Sequence, residues 1–402
     1  MLIVIARLNV GGPAHHVGVL SSMLDRERYQ SLVLHGRVGA GEASLADSVR
    51  ARGVTPAKVP GLRPELRPHD DARALAGLVR AIRRLRPDIV HTHTAKAGMV
   101  GRLGAVLAGG ARPVIVHTYH GHVLERYFDP VRNAAYRSLE RRLGRISDAL
   151  IGTSSATVDD LVRLAIAPRS KFRVILDGLV LEPFLSAAPR AGRAFRDEIG
   201  ASSGDVLLTF VGRLVAIKRA DLLLRAFARA RELGAPIRLA VVGDGALRPE
   251  LERLAAQLGI RANVRFVGYR TDVVAVTAAA DIAVLSSDNE GLPVSLMEAA
   301  AAAKPAVATA VGGVSEVITS ETGILVPRGD VEQLAQGIVA LAGDPAMRAT
   351  LGDRARRRVS ERFSAERLVR DIDSLYTELI ERNGLVLEEQ RRGTGSHGRR
   401  GR

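Results

Sequence analysis

Short apolar runs alternate with longer amphipathic segments along almost the whole chain. Each run ends in glycine or polar residues, as is typical of a strand buried on both faces, and the amphipathic segments carry apolar residues at helical spacing. This alternation predicts the α/β class, with mostly parallel sheets covered by helices. In the first half, strands are predicted at 2–6, 31–35, 54–59, 88–92, 113–118, 149–153 and 172–176. In the second half they are predicted at 206–211, 237–242, 264–267, 281–285, 306–309 and 323–326.

The alternation loosens once, at 181–193, and we interpret this stretch as a linker. The series on either side are built alike, and 402 residues exceed one ordinary domain. Two doubly wound parallel-sheet domains facing each other across a cleft form the simplest architecture. The expected segments are a first domain at 1–185, a second at 186–365, a helix at 366–382 and a disordered basic tail at 383–402.

The turn after the predicted strand 281–285 carries two carboxylates. Glu290 lies on the turn, and Glu298 lies about two helical turns into the helix that follows. Pro293 is typical of a first helical turn. Free N–H groups at a helix start favour phosphate, and carboxylates accept hydrogen bonds from hydroxyls. The stretch predicts a site for a polyhydroxylated ligand that carries phosphate, with two solvated surface glutamates as the alternative.

Basic and glycine-rich turns follow other strands. Arg213 and Lys218 come after the strand 206–211, where a guanidinium fork and an ammonium can neutralise a diphosphate without a metal. A merely basic loop would have the same composition. Gly11 and Gly12 would let backbone approach a phosphate or a sugar, or they form an ordinary tight turn. The amides of the glycine pair at 312–313 could join the same ligand site.

Histidines cluster at the predicted carboxyl ends of two parallel strands, where doubly wound sheets bind ligands. They are His91, His93, His117, His120 and His122. Substrate contacts at this edge are the favoured interpretation, and structural hydrogen bonding stays open. A metal site on His91 and His93 is disfavoured because no carboxylate or cysteine lies near them in the sequence. No metal ligand is therefore predicted.

Composition narrows the possible partners. The chain has no cysteine and a net charge of +15, which fits a reducing cytoplasm and anionic partners. Aromatic residues interleaved with basic ones are missing, so nucleic acid is not expected. No signal peptide or spanning segment is predicted. The segment 133–147 predicts a cationic amphipathic helix, which would rest on an anionic membrane surface or pack as a solvated helix.

A dinucleotide enzyme is a further possibility. The stretch 243–248 follows a predicted strand and resembles the glycine-rich fingerprint of such enzymes. Arg248, however, stands where the fingerprint has its third glycine. The nicotinamide interpretation is therefore weak.

Taken together, the motifs resemble glycosyltransferase family 4, and are similar to its capsule and exopolysaccharide branch. The segment from Glu290 to Glu298 resembles the E-x7-E motif of these retaining enzymes. Other motifs stand in the family's order and rough spacing almost to residue 380. They are Val-Gly-Gly at 10–12, His-Thr-His-Thr-Ala-Lys-Ala-Gly at 91–98, His-Thr-Tyr-His-Gly-His at 117–122, Gly-Arg-Leu at 212–214 with Lys218, Val-Gly-Asp-Gly at 242–245, Phe-Val-Gly at 266–268 and Gly-Gly-x-x-Glu at 312–316.

The resemblance implies a GT-B fold of two Rossmann-like domains. The second would hold the donor nucleotide, the first would hold the acceptor, and the last helix would return to the first. Arg213 and Lys218 match the pair that binds the donor diphosphate, and Glu290 matches the acid at the transferred sugar. Glu298 matches the acid at the ribose hydroxyls, and His120 matches the histidine beside the sugar and the reacting bond.

Other positions follow from the same resemblance. Gly11 and Gly12 match the loop that closes over donor phosphate and acceptor. Many members have a glutamate two residues after this glycine pair, but this chain has Ala14. How the loop handles an acceptor is therefore open. The remaining implied donor-binding positions are Gly243, Val267, Gly291 and Leu292.

The implied activity is retaining transfer of a hexosyl group from a nucleotide diphosphate sugar, with a UDP-sugar favoured. The acceptor would be a glycan or a lipid-linked molecule in surface polysaccharide or glycoconjugate synthesis. No cofactor and no metal are implied besides the donor itself. The expected location is the cytoplasm, with peripheral contact to the inner membrane face. The alternative is a non-catalytic nucleotide-sugar-binding protein at the membrane surface.

Overall fold

The computed structural model describes residues 1–9, 11–39, 44–63, 65, 67–121, 124, 129–187, 189–202 and 204–384. Val10, His122 and the predicted tail from 385 onward lie outside these residues. The chain divides into two units: unit 1 is Met1–Gly178 with the described residues from Ala365 onward, and unit 2 is Leu179–Ser364.

The chain enters unit 2 earlier than the predicted boundary at 185. The N–H of Leu179 donates to the carbonyl of Phe363 (2.9 Å), so the two ends of unit 2 are paired with each other. The first end is therefore fixed by this pairing, whereas the loosened composition that suggested a linker begins a few residues later.

Each unit contains one parallel sheet of short apolar strands. The strands of unit 1 are β1 (Leu2–Ile5), β2 (Leu32–His35), β3 (Pro56–Lys58), β4 (Ile89–His93), β5 (Val114–Tyr119), β6 (Ala149–Gly152) and β7 (Phe172–Val174). Those of unit 2 are β8 (Val206–Val211), β9 (Ile237–Val242), β10 (Val264–Gly268), β11 (Ile282–Leu285), β12 (Ala306–Thr309) and β13 (Gly323–Val326).

The two sheets have corresponding strand orders, β3-β2-β1-β4-β5-β6-β7 and β10-β9-β8-β11-β12-β13. This is the doubly wound order, in which the chain reverses direction across the sheet once. The reversal lies between β1 and β4 in unit 1, and between β8 and β11 in unit 2. Ligands of such sheets bind beyond the carboxyl ends of the strands at that point.

Helices connect the strands. Those up to β7 are α1 (Gly12–Met23), α2 (Ala46–Ala51), α3 (Pro68–Leu85), α4 (Ala95–Leu107), α5 (Pro130–Ile146) and α6 (Ser155–Arg163). The others are α7 (Glu182–Leu185), α8 (Pro189–Ile199), α9 (Ala220–Glu232), α10 (Arg248–Gln257), α11 (Val273–Ala279), α12 (Val294–Ala301), α13 (Val314–Val317), α14 (Val331–Gly343), α15 (Pro345–Arg362) and α16 (Ala365–Arg382). Short 3-10 turns occur at Arg169–Lys171 and Ala216–Lys218.

Strand β1 shows why the strands are continuous apolar runs. Ile3 and Ile5 pack in the core that includes α1 and α16, whereas Leu2 and Val4 pack in the core that includes α3 and α4. Because successive side chains of a strand point to opposite faces, a sheet covered on both faces favours apolar residues at successive positions of its strands.

The last helix, α16, belongs to unit 1. A hydrogen bond joins the Tyr376 hydroxyl to His91 Nδ1 (2.6 Å). Asp373 accepts two hydrogen bonds from Arg28 (2.8 Å each) and one from the hydroxyl of Tyr29 (2.7 Å). These contacts, with the buried apolar face of α16, tie the helix to the unit that begins the chain.

No helix in the described part of the chain has the length and apolar character needed to cross a lipid bilayer.

Candidate active site

The turn after β11 holds Glu290 in a fixed position. Lys218 Nζ donates to Glu290 Oε1 (2.5 Å), and the hydroxyl of Ser287 donates to the same oxygen (2.5 Å). The Lys218 side chain is 20% exposed and that of Glu290 is 10% exposed, so the ion pair is shielded without being sealed from solvent. The structure thus brings together two of the predicted site residues, 72 positions apart in the chain.

The turn is fastened on one side to the segment after β8. The hydroxyl of Ser286 donates to the carbonyls of Lys218 (3.1 Å) and Arg219 (2.8 Å). The backbone N–H of Asp288 donates to the carbonyl of Ile217 (2.8 Å). These bonds join the two turns that flank the strand-order reversal of unit 2.

The other side of the turn rests on the segment after β12. Thr309 Oγ1 donates to the Ser287 carbonyl (2.7 Å), and the N–H of Gly313 donates to the Glu290 carbonyl (3.2 Å). Gly312 has a φ of +51°, and a Cβ there would collide with the carbonyl oxygen of Glu290. The Gly313 amide, predicted as a ligand donor, is therefore used to support Glu290.

Arg213 comes after β8 in the same segment as Lys218, and its side chain is exposed. Its guanidinium makes no hydrogen bond or ion pair with the residues that the structure describes. It is therefore available to an anion, whereas Lys218 already neutralises Glu290. Gly243 follows β9 with a φ of +129°, and a Cβ there would collide with the carbonyl oxygen of Gly212. Glycine at 243 thus allows the ends of β8 and β9 to approach each other.

The helix after the turn begins later than predicted. Pro293 is the residue before α12, which starts at Val294. Leu292 is 8% exposed, and Gly291 and Val267 are half-buried, so Leu292 offers little surface to a ligand without movement. Glu298 lies in α12 and is half-buried. Burial raises the pKa of Glu298 to about 8.

Replacement of Glu298 by glutamine is expected to change the pH dependence of stability. The folded protein keeps the Glu298 proton up to a pKa of about 8, whereas an unperturbed carboxyl loses it near 4.5. The stability that this group contributes is therefore complete below pH 4.5 and is lost as pH rises towards 8. E298Q should show a Tm a few degrees above the parent at pH 8 or higher, and no advantage near pH 4.5. Parallel Tm curves of the two proteins across this range would contradict the assignment.

Unit 1 contains a second polar cluster, formed by His16, His93, His120 and Asp177. His16 Nδ1 donates to Asp177 Oδ1 (2.6 Å), and His120 Nδ1 lies 3.7 Å from the same oxygen. A hydrogen bond joins His93 Nδ1 and His120 Nε2 (3.1 Å). Burial alone would raise the pKa of Asp177, but the nearby charge of His120 and the hydrogen bond from His16 hold that pKa well below its ordinary value.

Three histidines singled out in the sequence lie inside unit 1. His91, His93 and His117 are each at most 1% exposed, and burial lowers the pKa of each well below its ordinary value. His91 Nε2 is hydrogen-bonded to Thr118 (2.7 Å), and His117 Nδ1 to Thr92 (2.9 Å). The structure therefore favours structural hydrogen bonding for these three, and substrate contact at the sheet edge stays a prediction for His120.

The groups that could hold a metal ion are not the disfavoured pair His91 and His93. Both ring nitrogens of His91 are hydrogen-bonded, which leaves none for a metal shared with His93. His16, His120 and Asp177 instead each place one ligand atom within 4.8 Å of the others. The direct hydrogen bond between His16 and Asp177 joins two of these groups and would have to open for an ion to enter. Sequence reasoning missed His16 and Asp177 because 161 positions separate them.

The first glycine turn precedes α1. Gly12 is the first residue of the helix, and the Gly11 carbonyl accepts from the N–H groups of Ala14 and His15 (3.1 Å each). A Cβ on Gly11 would meet nothing within 4 Å. Ala14 is 1% exposed and packs in the unit 1 core, so its position suits alanine and would bury a glutamate.

The predicted cationic helix corresponds to α5. Arg132, Arg141, Arg142 and Arg145 are exposed, whereas Leu143 is buried inside unit 1. This arrangement is that of a surface helix packed through its apolar side. Contact with a membrane stays a prediction.

Arg248, which weakened the nicotinamide interpretation, begins α10. Its guanidinium donates to Asp244 (3.2 Å), Glu252 (3.1 Å) and the Phe266 carbonyl (3.3 Å). The Arg248 side chain thus contacts the residues at which a dinucleotide fingerprint would leave the backbone free for the ligand.

Comparison with known proteins agrees with the motifs. The family model described as "Glycosyltransferase Family 4" matches residues 10–182, and the one described as "Glycosyl transferases group 1" matches residues 193–358. The D-inositol 3-phosphate glycosyltransferase of Saccharomonospora viridis is 33% identical over 316 residues, which cover 73% of this chain and 70% of that protein.

Two other similarities extend over more of the chain. The UDP-Gal:alpha-D-GlcNAc-diphosphoundecaprenol alpha-1,3-galactosyltransferase of Escherichia coli is 26% identical over 340 residues, 84% of this chain and 86% of that protein. The crystal structure of Anabaena Alr3699/HepE in complex with UDP and glucose superposes with a TM-score of 0.79 at 20% identity, covering 94% of this chain and 99% of that one. The expected fold and family are confirmed: the chain belongs to glycosyltransferase family 4 and its two units have the Rossmann-like architecture of the GT-B fold.

Proposed function

We propose that this glycosyltransferase is a retaining, metal-independent enzyme that takes a hexosyl group from a UDP-sugar. The observation that carries the proposal is the Lys218–Glu290 ion pair, at the strand-order reversal of unit 2, with the exposed Arg213 in the same segment as Lys218. A carboxylate suited to sugar hydroxyls and two cations suited to a diphosphate thus come from the two turns that flank this reversal. The donor itself is the co-substrate, and no cofactor is proposed.

The positive charges of Arg213 and Lys218 would help the nucleoside diphosphate to leave the sugar. Negative charge grows on the bridging oxygen as the bond to the sugar breaks, and fixed positive groups stabilise that charge where it develops. Arg213 can hold two phosphate oxygens in its fork, and Lys218 supplies a point charge. Because the chain provides these cations, a metal ion is not needed to balance the diphosphate.

Glu290 and Glu298 are proposed to hold the two ends of the donor. Glu290 would accept from hydroxyls of the transferred sugar, and Glu298 from those of the ribose. Attack from the face of the departing phosphate, which takes the acceptor proton, retains the anomeric configuration and needs no protein base. A role for Glu290 as a covalent nucleophile is less favoured, because Lys218 and Ser287 both donate hydrogen bonds to the same carboxylate oxygen, Oε1.

Two of the similar proteins support uridine as the base, since one is named for UDP-Gal and the other was solved with UDP and glucose. The relatives differ in acceptor, which is a diphosphoundecaprenol-linked GlcNAc in one and D-inositol 3-phosphate in another. We favour a lipid-linked or glycan acceptor on unit 1, where the exposed arginines of α5 suit an anionic membrane surface. His120 is proposed to act beside the reacting bond, with Gly11 and Gly12 near the phosphate. The proposed location is the cytoplasmic face of the membrane.

A non-catalytic nucleotide-sugar-binding protein is the alternative from another class. Such a protein would need the diphosphate contacts but not the carboxylate at the sugar. The presence of Glu290 together with Arg213 and Lys218 argues against a protein that only binds the nucleotide sugar.

A donor screen tests the proposal. The protein is heated with UDP-, GDP- or ADP-sugars, and with NAD as a control for the dinucleotide interpretation. A ligand that binds only the folded state raises stability by about 2.7 kcal/mol at a hundred times its Kd. UDP-sugars are expected to raise Tm and to be consumed equally with and without EDTA. A Tm shift from another nucleotide sugar alone, or loss of turnover in EDTA, would overturn the donor or the metal assignment respectively.

A further inference from the structure

A buried serine of the turn after β11 is hydrogen-bonded to Glu290. Ser287 is 0% exposed, and its hydroxyl donates to Glu290 Oε1 at 2.5 Å. The backbone carbonyl of Ser287 accepts from Thr309, a residue at the end of the neighbouring strand that is itself 0% exposed. The residue is therefore held by buried structure, and among the residues that the structure describes its hydroxyl donates to the Glu290 carboxylate alone.

We propose that Ser287 is the positioning residue for Glu290, and that it keeps the carboxylate in place when Lys218 turns to the donor diphosphate. This inference rests on the donor-binding role proposed for Glu290. Without donor, Lys218 and Ser287 share Oε1. A diphosphate competes with Glu290 for the ammonium, because both are anions. Ser287 is neutral and buried, so the phosphate does not draw it away.

The same contacts assign different roles to the two oxygens of the Glu290 carboxylate. In the part of the chain that the structure describes, the two side chains that donate to the Glu290 carboxylate both donate to Oε1. This leaves Oε2 as the oxygen for a sugar hydroxyl. Loss of the Ser287 bond would let the carboxyl rotate once Lys218 has moved. Small displacements of a substrate-positioning group can lower a rate by about a hundred-fold.

The adjacent serine provides a matched control. Ser286 is 1% exposed and lies on the same turn, but its hydroxyl donates to the backbone carbonyls of Lys218 and Arg219. Alanine at either position removes one buried hydroxyl from the same turn. Only S287A removes a bond to Glu290, so a difference between the two variants separates positioning of the carboxylate from general support of the turn.

The first experiment is a double-mutant cycle on stability, which does not depend on activity. Urea midpoints are compared for S287A, E290A and S287A/E290A, and for the equivalent set with S286A. Coupled residues give non-additive changes. S287A is expected to cost less in the E290A background than in the parent, whereas the cost of S286A should be the same in both. Additive costs for S287A would overturn the inference, whether or not the donor proposal holds.

The second experiment distinguishes positioning of the Glu290 carboxylate from general support of the turn. S287A is expected to lower kcat for sugar transfer by about ten-fold or more, to bind UDP as the parent does, and to recover most of the rate as S287T, which keeps the hydroxyl. A parent-like kcat in S287A would overturn the inference. Equal loss of UDP binding and kcat would mean that Ser287 only supports the turn. If the parent transfers no sugar from any nucleotide donor, the proposed function fails while the stability cycle still decides the contact.

Discussion

Alanine at position 290 is expected to abolish sugar transfer, a loss of at least about a thousand-fold, while the protein stays folded. E290A removes the carboxylate proposed to contact the transferred sugar, and it also releases Lys218, which would then bind the diphosphate without competition. UDP affinity should therefore be kept or increased in E290A, although turnover is lost. Transfer is measured as UDP release at saturating donor, and folding is checked by circular dichroism and Tm.

Lys218→Ala is the complementary change, and it should also abolish transfer. K218A removes a charge that stabilises the departing diphosphate, so UDP binding should fall together with kcat. The opposite effects on UDP binding distinguish the two ends of the donor. Glu232 provides the control, because it is an exposed glutamate paired with Arg229 (3.2 Å) in the same unit. E232A should have parent-like kcat and UDP affinity, and normal transfer by E290A or K218A would contradict the assigned site.

The fold could be predicted because its signals are local. The strands at 206–211, 237–242, 306–309 and 323–326 have the bounds that the sequence predicts, since both faces of the sheet are covered and most positions of each strand are apolar. Helix starts are harder to place from sequence. Pro293 suits the residue before a helix as well as the first turn, and the structure places it in the former position.

The site could be predicted only in part. Spacing indicated Glu290, Lys218 and Arg213, because family motifs preserve the order of such residues along the chain. Their contacts could not be predicted: nothing local in the sequence shows that Lys218 pairs with Glu290, since the pairing arises when β8 and β11 become neighbours.

The polar interior of unit 1 was hidden from sequence analysis for the same reason. Histidines at strand ends suggested substrate contacts, yet His91 is hydrogen-bonded to Tyr376, 285 positions later in the chain. The carboxylate that sequence reasoning did not find near the histidines is Asp177, which follows β7. His16, which follows His15 after the glycine turn, could have indicated a further polar contact. Its partner Asp177 could not be predicted, because folding of the sheet brings the two residues together.

A second large effect is expected from loss of a buried ion pair that contacts the end of β5. Arg102 of α4 is 0% exposed, and its Nη2 donates to both oxygens of Glu140 on α5 (2.9 Å each). Arg102 Nε donates to the Gly98 carbonyl (2.8 Å), and the hydroxyl of Tyr119 donates to Glu140 Oε2 (2.7 Å). Tyr119 ends β5 and directly precedes His120, so this network supports the strand end that presents the histidine.

Glu140→Ala is expected to lower the free energy of unfolding of unit 1 by about 3–5 kcal/mol, because Arg102 is then buried without its counter-charge. Near-UV circular dichroism in urea follows the loss, since Tyr29, Tyr119 and Tyr376 lie in this unit. R102M/E140M, which removes both charges and keeps apolar volume, should lose much less. The exposed pair of Arg50 and Asp47, whose side chains are 52% and 88% exposed, is the control, and R50A should change stability by about 0.5 kcal/mol or less. A cost in E140A as small as that in R50A would show that the buried pair does not hold α4 and α5 together, and the support of His120 would then have to come from β5 alone.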